Sequence, residues 1–142
     1  MTVFRIGDAA VVLGVSPDTV RRWVDSGRLV AERDEKGHRR IAGAQLASFA
    51  HDLWDDADEG YDRSSARNRM RGIITAIAKD SVMAKVKMQA GPFRIVALMS
   101  REAVDDLDLQ VGSVAVAVVK STAVVVERAR PLAAPAKVGS NS

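Results

Sequence analysis

Ser16-Pro17-Asp18-Thr19-Val20-Arg21-Arg22-Trp23 is the stretch on which the reading of this chain turns. Ser16 is a good N-cap, Pro17 fits a first helical turn where a missing N–H costs nothing, and Asp18 suits the positive end of the helix dipole. A helix therefore starts here. At 100° per residue Val20, Trp23 and Val24 share one face, Asp18, Thr19, Arg22 and Ser26 share the opposite one, and Arg21 lies on the flank. One face packs; the other presents donors and cations. Upstream, Ile6-Gly7-Asp8-Ala9-Ala10-Val11-Val12-Leu13 reads as a short helix, and Gly14-Val15-Ser16 as a tight turn whose glycine supplies a positive φ. Two helices joined at this spacing make the polar face of the second a candidate for reading the major groove of DNA.

Downstream, Leu29-Val30-Ala31-Glu32-Arg33 reads as a strand, Asp34-Glu35-Lys36-Gly37 as a turn and His38-Arg39-Arg40-Ile41 as the returning strand. This is a two-stranded wing, with Arg39, Arg40 and the adjacent His38 placed to meet phosphates or a minor groove. Leu46, Phe49, Ala50 and Leu53, with Trp54 at the edge, recur at helical spacing and predict a third helix that closes a small core. His51 points away from that stripe and reads as solvent-facing.

Composition narrows the classes. Of 142 residues 47% are hydrophobic, enough for folded cores, and the absence of cysteine with only two histidines excludes disulfides, thiolate zinc sites and cysteine nucleophiles. No apolar run approaches the ~20 residues of a membrane span, and a cytoplasmic protein is expected. No serine stands near a histidine in a recognisable motif and no glycine loop is built to cradle phosphate, so neither an enzyme nor a metal site is read.

The net charge of +3 is unevenly spread. Basic and acidic residues number 8 and 7 in 1–54, 0 and 5 in 55–62, 10 and 6 in 63–127, and 3 and 0 thereafter. The acidic run lacks apolar periodicity and repels itself, which predicts a linker over 55–63. It divides a DNA-binding domain, 1–54, from a second domain, 64–127. Pro131, Pro135 and Gly139 interrupt the remainder, and a flexible tail is expected over 128–142.

In the second domain the period changes to that of strands. Five runs, 72–77, 82–88, 93–99, 114–119 and 123–126, are rich in β-branched or aliphatic residues, with turns at Lys79-Asp80-Ser81 and Ala90-Gly91-Pro92. Ser100 is placed to cap a short helix reaching Leu107. The expected fold is α+β: a winged helix-turn-helix, mainly helical with a β-wing, followed by a five-stranded OB-like barrel with one short helix. Arg69, Arg71, Lys85 and Lys87 read either as a solvated face or as a second nucleic-acid surface.

Residues 4–50 resemble the winged helix-turn-helix of MerR-type and excisionase-like proteins. The likeness rests on Ile6-Gly7-Asp8-Ala9-Ala10, the stretch from Gly14 to Trp23, Gly27-Arg28-Leu29 and Gly37-His38-Arg39-Arg40. It implies double-stranded DNA as partner, with Thr19, Arg21 and Arg22 in the groove and His38, Arg39 and Arg40 on the wing.

Ser65-Ala66-Arg67-Asn68, Gly72, Ser100-Arg101-Glu102-Ala103-Val104, Gly112 and the stretch from Ala117 to Val124 are similar to the Mop, or TOBE-type, molybdate-binding domain. That resemblance implies a homodimer or higher homo-oligomer binding molybdate or tungstate, usually between paired domains. It nominates the hydroxyls of Ser65 and Ser100, the N–H groups of Ala66 and Arg67, the cations of Arg67 and Lys120, and Ser121 or Thr122. A desolvated dianion needs such donors and at least one cation. None of these positions is acidic, so fully ionised oxyanions are favoured over protonated phosphate.

Together these features point to a transcription regulator that senses an oxyanion. A molybdate-binding or storage protein, and an architectural DNA-binding factor whose barrel only oligomerises it, stand as alternatives.

Overall fold

The computed structural model describes residues 2–54, 63–130 and 132; residues 55–62 of the linker expected over 55–63, and 131 and 133–142 of the tail expected over 128–142, lie outside them. The chain divides into two compact units, one formed by 1–57 with 125–142 and the other by 58–124.

In the first unit β1 (Val3–Arg5), α1 (Ile6–Leu13), α2 (Pro17–Asp25), β2 (Glu32–Arg33), β3 (Arg39–Ala42) and α3 (Gly43–Trp54) follow in order. The Ser16 hydroxyl accepts the Thr19 N–H at 3.1 Å, as an N-cap should, and Pro17 opens α2. Gly14 ends α1 at φ 71°, a left-handed conformation that a side chain would strain. Ala9, Ala10, Val20, Leu29, Ile41 and Leu46 form the buried core. Trp23 and Phe49 close it, their ring centroids 4.9 Å apart and tilted by 54°, with the Arg28 guanidinium over the Phe49 ring.

Two local features differ from expectation. The strand before the wing turn is only Glu32–Arg33, because Leu29 is 2% exposed and serves the core rather than a ladder. A third strand, β1, pairs with β3 through Val3↔Ala42, Phe4↔Ile41 and Arg5↔Arg40, giving the order β1-β3-β2.

The second unit contains β4 (Asn68–Lys79), β5 (Met83–Ala90), β6 (Phe93–Ser100), α4 (Arg101–Asp106) and β7 (Val114–Val119), followed by a 3-10 turn at Ser121–Ala123. The strands form one antiparallel sheet in the order β6-β5-β4-β7. Ile74, Ala84, Val86, Met88 and Val104 are buried together, with Ile95, Ala97, Met99, Leu109, Ala115 and Ala117 packed around them, so the sheet curls over α4. The Ser100 hydroxyl caps α4 by accepting the Ala103 N–H at 3.0 Å.

The expected fifth strand over 123–126 is not formed, and among the described residues the sheet is open rather than a closed five-stranded barrel. Val125 and Val126 are 82% and 88% exposed. Valine favours a pleated, half-buried surface, but that preference is realised only against a neighbouring strand, and among the described residues none pairs with this segment.

Gly72 lies where β4 runs close against the backbone of β5. A Cβ there would overlap the Gln89 carbonyl and crowd the Ala90 Cα, just before the register shifts between Ile74 and Ala76. Gly72→Ala is therefore expected to destabilise the second unit by about 1–3 kcal/mol, the usual cost of forcing extra volume into a packed site. In urea unfolding followed by residue-resolved amide signals, resonances of the second unit should lose intensity at lower denaturant while those around Trp23 hold theirs.

Candidate functional sites

The first site is a cleft of about 660 Å³ between α2, the start of α1 and the wing. Arg5, Arg21, Arg33, Arg39, Arg40 and His38 line it, and Asp25 is the one acid among its described lining residues. Of the arginines foreseen from sequence, Arg21, Arg39 and Arg40 reach this cleft. Thr19 and Arg22 do not line it; they sit one turn apart on α2, the Arg22 guanidinium donating to the Thr19 hydroxyl at 3.4 Å. Arg5 and Arg33 were not foreseen. Cross-strand pairing brings them in, Arg5 opposite Arg40 and Arg33 opposite Arg39, and no local motif signals that pairing.

These cations are held by acids. Arg39 reaches from the wing to Asp25 on α2 at 2.7 Å, Arg21 pairs with Asp18 at 2.6 Å, Arg5 with Asp8 at 3.1 Å and Arg40 with Asp34 at 3.0 Å. Exposed pairs of this kind contribute little stability. Their effect is geometric: guanidinium groups are pre-oriented, and the near-zero charge of the unit is explained residue by residue.

Asp34 organises the wing turn. Its carboxylate accepts the N–H groups of His38 and Lys36, each at 2.9 Å. The His38 N–H bond, then that of Lys36, with help from Arg40 and against partial desolvation, holds its carboxyl below the ordinary 3.8. A depressed folded value contributes order that is present above the unfolded value and lost as pH falls through the folded one. The His38 and Lys36 amide resonances should therefore titrate together with a midpoint below 3.8. Asp34→Asn should abolish that transition.

The second site is assembled by strand register. Asn68 opens β4 opposite Val119 at the close of β7, and its side-chain amide donates to the Val119 carbonyl at 3.1 Å. Arg67 and Lys120 are the next residues outward on the two strands, so both cations emerge at one end of one strand pair. Ser65, Ser121 and Thr122 lie at the same end and are exposed. Lys120 carries the 3-10 turn that presents Ser121 and Thr122.

Two nominated groups are already engaged. The Ala66 N–H donates to the Ser64 hydroxyl at 3.1 Å, and the Arg67 guanidinium donates to the Ser64 carbonyl at 2.6 Å. Ser100 is elsewhere. It ends β6 opposite Met83, whereas Asn68 begins β4 at the other end of the sheet. The twelve residues of β4 separate these ends by roughly 35 Å of strand. Ser100's hydroxyl keeps its own proton to donate while accepting from Ala103. Within one chain, then, Arg67 and Lys120 are brought together and Ser100 is not.

Among the described residues no cluster of three or more histidines and carboxylates could hold a metal ion, and no helix is long and apolar enough to cross a membrane.

Residues 3–52 match a helix-turn-helix domain model and residues 64–126 a TOBE domain model. Molybdenum-pterin-binding protein 3 of Clostridium pasteurianum is 35% identical over 63 residues, which cover 44% of this chain and 93% of that protein. The chain belongs to the TOBE-domain family. The molybdenum transport protein ModE of Herbaspirillum seropedicae is 44% identical over 64 residues, 44% of this chain and 24% of that one. A type II methyltransferase, M.Eco47II of Escherichia coli, is 30% identical over 89 residues, 62% of this chain. The chain thus spans about a quarter of the length of the ModE protein, and 21% of the methyltransferase. The solved structure of a molybdate binding protein from Sporomusa ovata shares 35% identity, covers 46% of this chain and 97% of its own, and superposes with a TM-score of 0.45.

Proposed function

We propose that the chain is a DNA-binding regulator that senses a molybdate- or tungstate-type oxyanion. The helix-turn-helix match and the arginine cleft support duplex DNA as the macromolecular partner, and a DNA partner fits a cytoplasmic protein. The TOBE membership, and the molybdenum named for two of its relatives, support the anion.

One observation carries the coupling between them. Arg67 and Lys120 stand at one end of the sheet and Ser100 at the other. An anion that takes cations from the first set and a hydroxyl from the second must join two copies of the chain. Occupancy then fixes how two second units pair, and through them biases two reading helices toward the ~34 Å separation of successive half-sites on DNA. On this reading Arg67 turns its guanidinium from the Ser64 carbonyl to the ligand, and Lys120, Ser121 and Thr122 close the shell. On this reading the protein acts by binding.

The shared site has a direct test. Lys120→Ala should weaken molybdate binding about tenfold to a hundredfold in isothermal titration, the loss of one charge-assisted hydrogen bond, and Ser100→Ala should weaken it less. A mixture of the two variants should regain tight sites. Each mixed pair rebuilds one intact site from the Lys120 of one copy and the Ser100 of the other, and no recovery on mixing would place the site within a single chain. Duplex affinity should then differ between molybdate-free and molybdate-saturated protein. Arg40→Ala should lower that affinity and flatten its dependence on salt by about one contact.

The alternative of an anion-binding or storage protein draws on the Clostridium relative, nearly all of which corresponds to the second unit alone. Equal duplex affinity with and without saturating anion would favour it.

A further inference from the structure

The sheet of the second unit has two faces, and only one of them packs. Along β5, Ala84, Val86, Met88 and Ala90 are buried, while Lys85 and Lys87 stand on the other side. Register extends that outer face. Lys85 lies between Ala78 and Leu98, Lys87 between Ala76 and Val96, Gln89 between Ile73 and Arg94, and Arg71 opposite Val116. No carboxylate occupies a paired position on this face. Arg5, Arg21, Arg39, Arg40, Lys79 and Arg101 are each paired with an aspartate, but among the described residues Arg71, Lys85, Lys87 and Arg94 enter no ion pair.

The face is built to keep those charges outward. In the register Ala76 and Ala78 flank the lysines on one side and Val96 and Leu98, 52% and 73% exposed, on the other, so the charges rise from small and aliphatic neighbours rather than from acids. Alternate residues on a strand stand about 7 Å apart and neighbouring strands about 5 Å. The result is a set of closely spaced cations, Arg71, Lys85, Lys87 and Arg94, on the outside of the curled sheet.

We propose that this outer face binds the phosphate backbone of duplex DNA, a second contact beyond the arginine cleft. The inference rests on the reading of duplex DNA as partner and extends it to the unit that reading reserves for the anion. Three features select the occupant. A row of unpaired cations matches a polyanion in charge. The outer face carries no aromatic side chain, so it offers unpaired bases no stacking platform and suits a backbone rather than a single strand. A second copy docked symmetrically through this face would set cations against cations with no acid between.

The test uses the full chain and fluorescence anisotropy with duplexes of random sequence across a salt series. The triple variant Lys85→Gln, Lys87→Gln, Arg94→Gln should lower the slope of log K against log salt by about 2–3, near 0.9 for each phosphate no longer neutralised. The wing variant Arg39→Ala, Arg40→Ala should retain weak, salt-sensitive duplex binding that disappears when the triple change is added. An unchanged slope in the triple variant, with binding abolished by the wing variant, would overturn the proposal and leave the regulator reading standing. Failure of the wild-type chain to bind any duplex would overturn both. Equal loss of binding to poly-glutamate would reassign the face to an acidic protein partner. A change in sedimentation with no change in duplex binding would reassign it to contact between copies.

Discussion

Antiparallel pairing of Asn68 with Val119 is the contact on which the second unit's chemistry depends. It ties the first residues of β4 to the last of β7, and the Asn68 amide locks the two ends by donating across to the Val119 carbonyl. Everything nominated at that end hangs from this clasp: Arg67 precedes it on one strand and Lys120 follows it on the other. Two like charges so placed repel, and Arg67 donates to the Ser64 carbonyl at 2.6 Å. On the proposed reading a doubly negative guest would remove the repulsion and compete for the same donor, so that ligand preference and local backbone stability would be set by one arrangement.

The first unit solves the opposite electrostatic problem. Its arginines are numerous, yet Asp8, Asp18, Asp25 and Asp34 hold four of them in place. Asp25 matters most because its partner, Arg39, belongs to the wing, so this pair joins the two DNA-facing elements of the proposed interface. A cation already paired with a carboxylate gains less from a random phosphate than a free one does, whereas a well-placed phosphate or base edge recovers the difference through geometry. Specificity in such a unit comes from restraining affinity as much as from supplying it.

How much of this was legible in sequence follows from which interactions are local. Ser16, Pro17 and Gly14 act within four residues of themselves, and the cap, helix start and left-handed turn they imply are all present. Ser100 as a helix cap was readable for the same reason. The strand Val3–Arg5 was not, since three residues carry no alternation to detect. Nor were Arg5 and Arg33 as members of the cleft, because their place depends on register with β3. The run 123–126 suggests a strand on the same valine-rich composition as 114–119. Composition reports preference, and only topology decides whether a partner strand arrives. Ser65, Arg67, Ser100 and Lys120 came as a set from resemblance, but their division between the two ends of the sheet needed the register.

That division meets a second, independent constraint at the sheet's margins. Among the described residues β6 and β7 each leave one edge unpaired. The β7 edge, Val114–Val119, carries only valine and alanine, with Val114 and Val118 substantially exposed. Exposed, uncharged, β-prone edges invite pairing with another chain, and stable proteins usually blunt them with charge, proline or cover. Lys120 stands just past this edge, and Val124, Val125 and Val126 follow it with no ladder partner among the described residues. A fold that split its anion donors between two sheet ends and still behaved as a monomer would leave both the donors and the edge unsatisfied. The pairing of two copies proposed for the ligand would offer partners to both, so the exposed edge is a second reason to look for self-association.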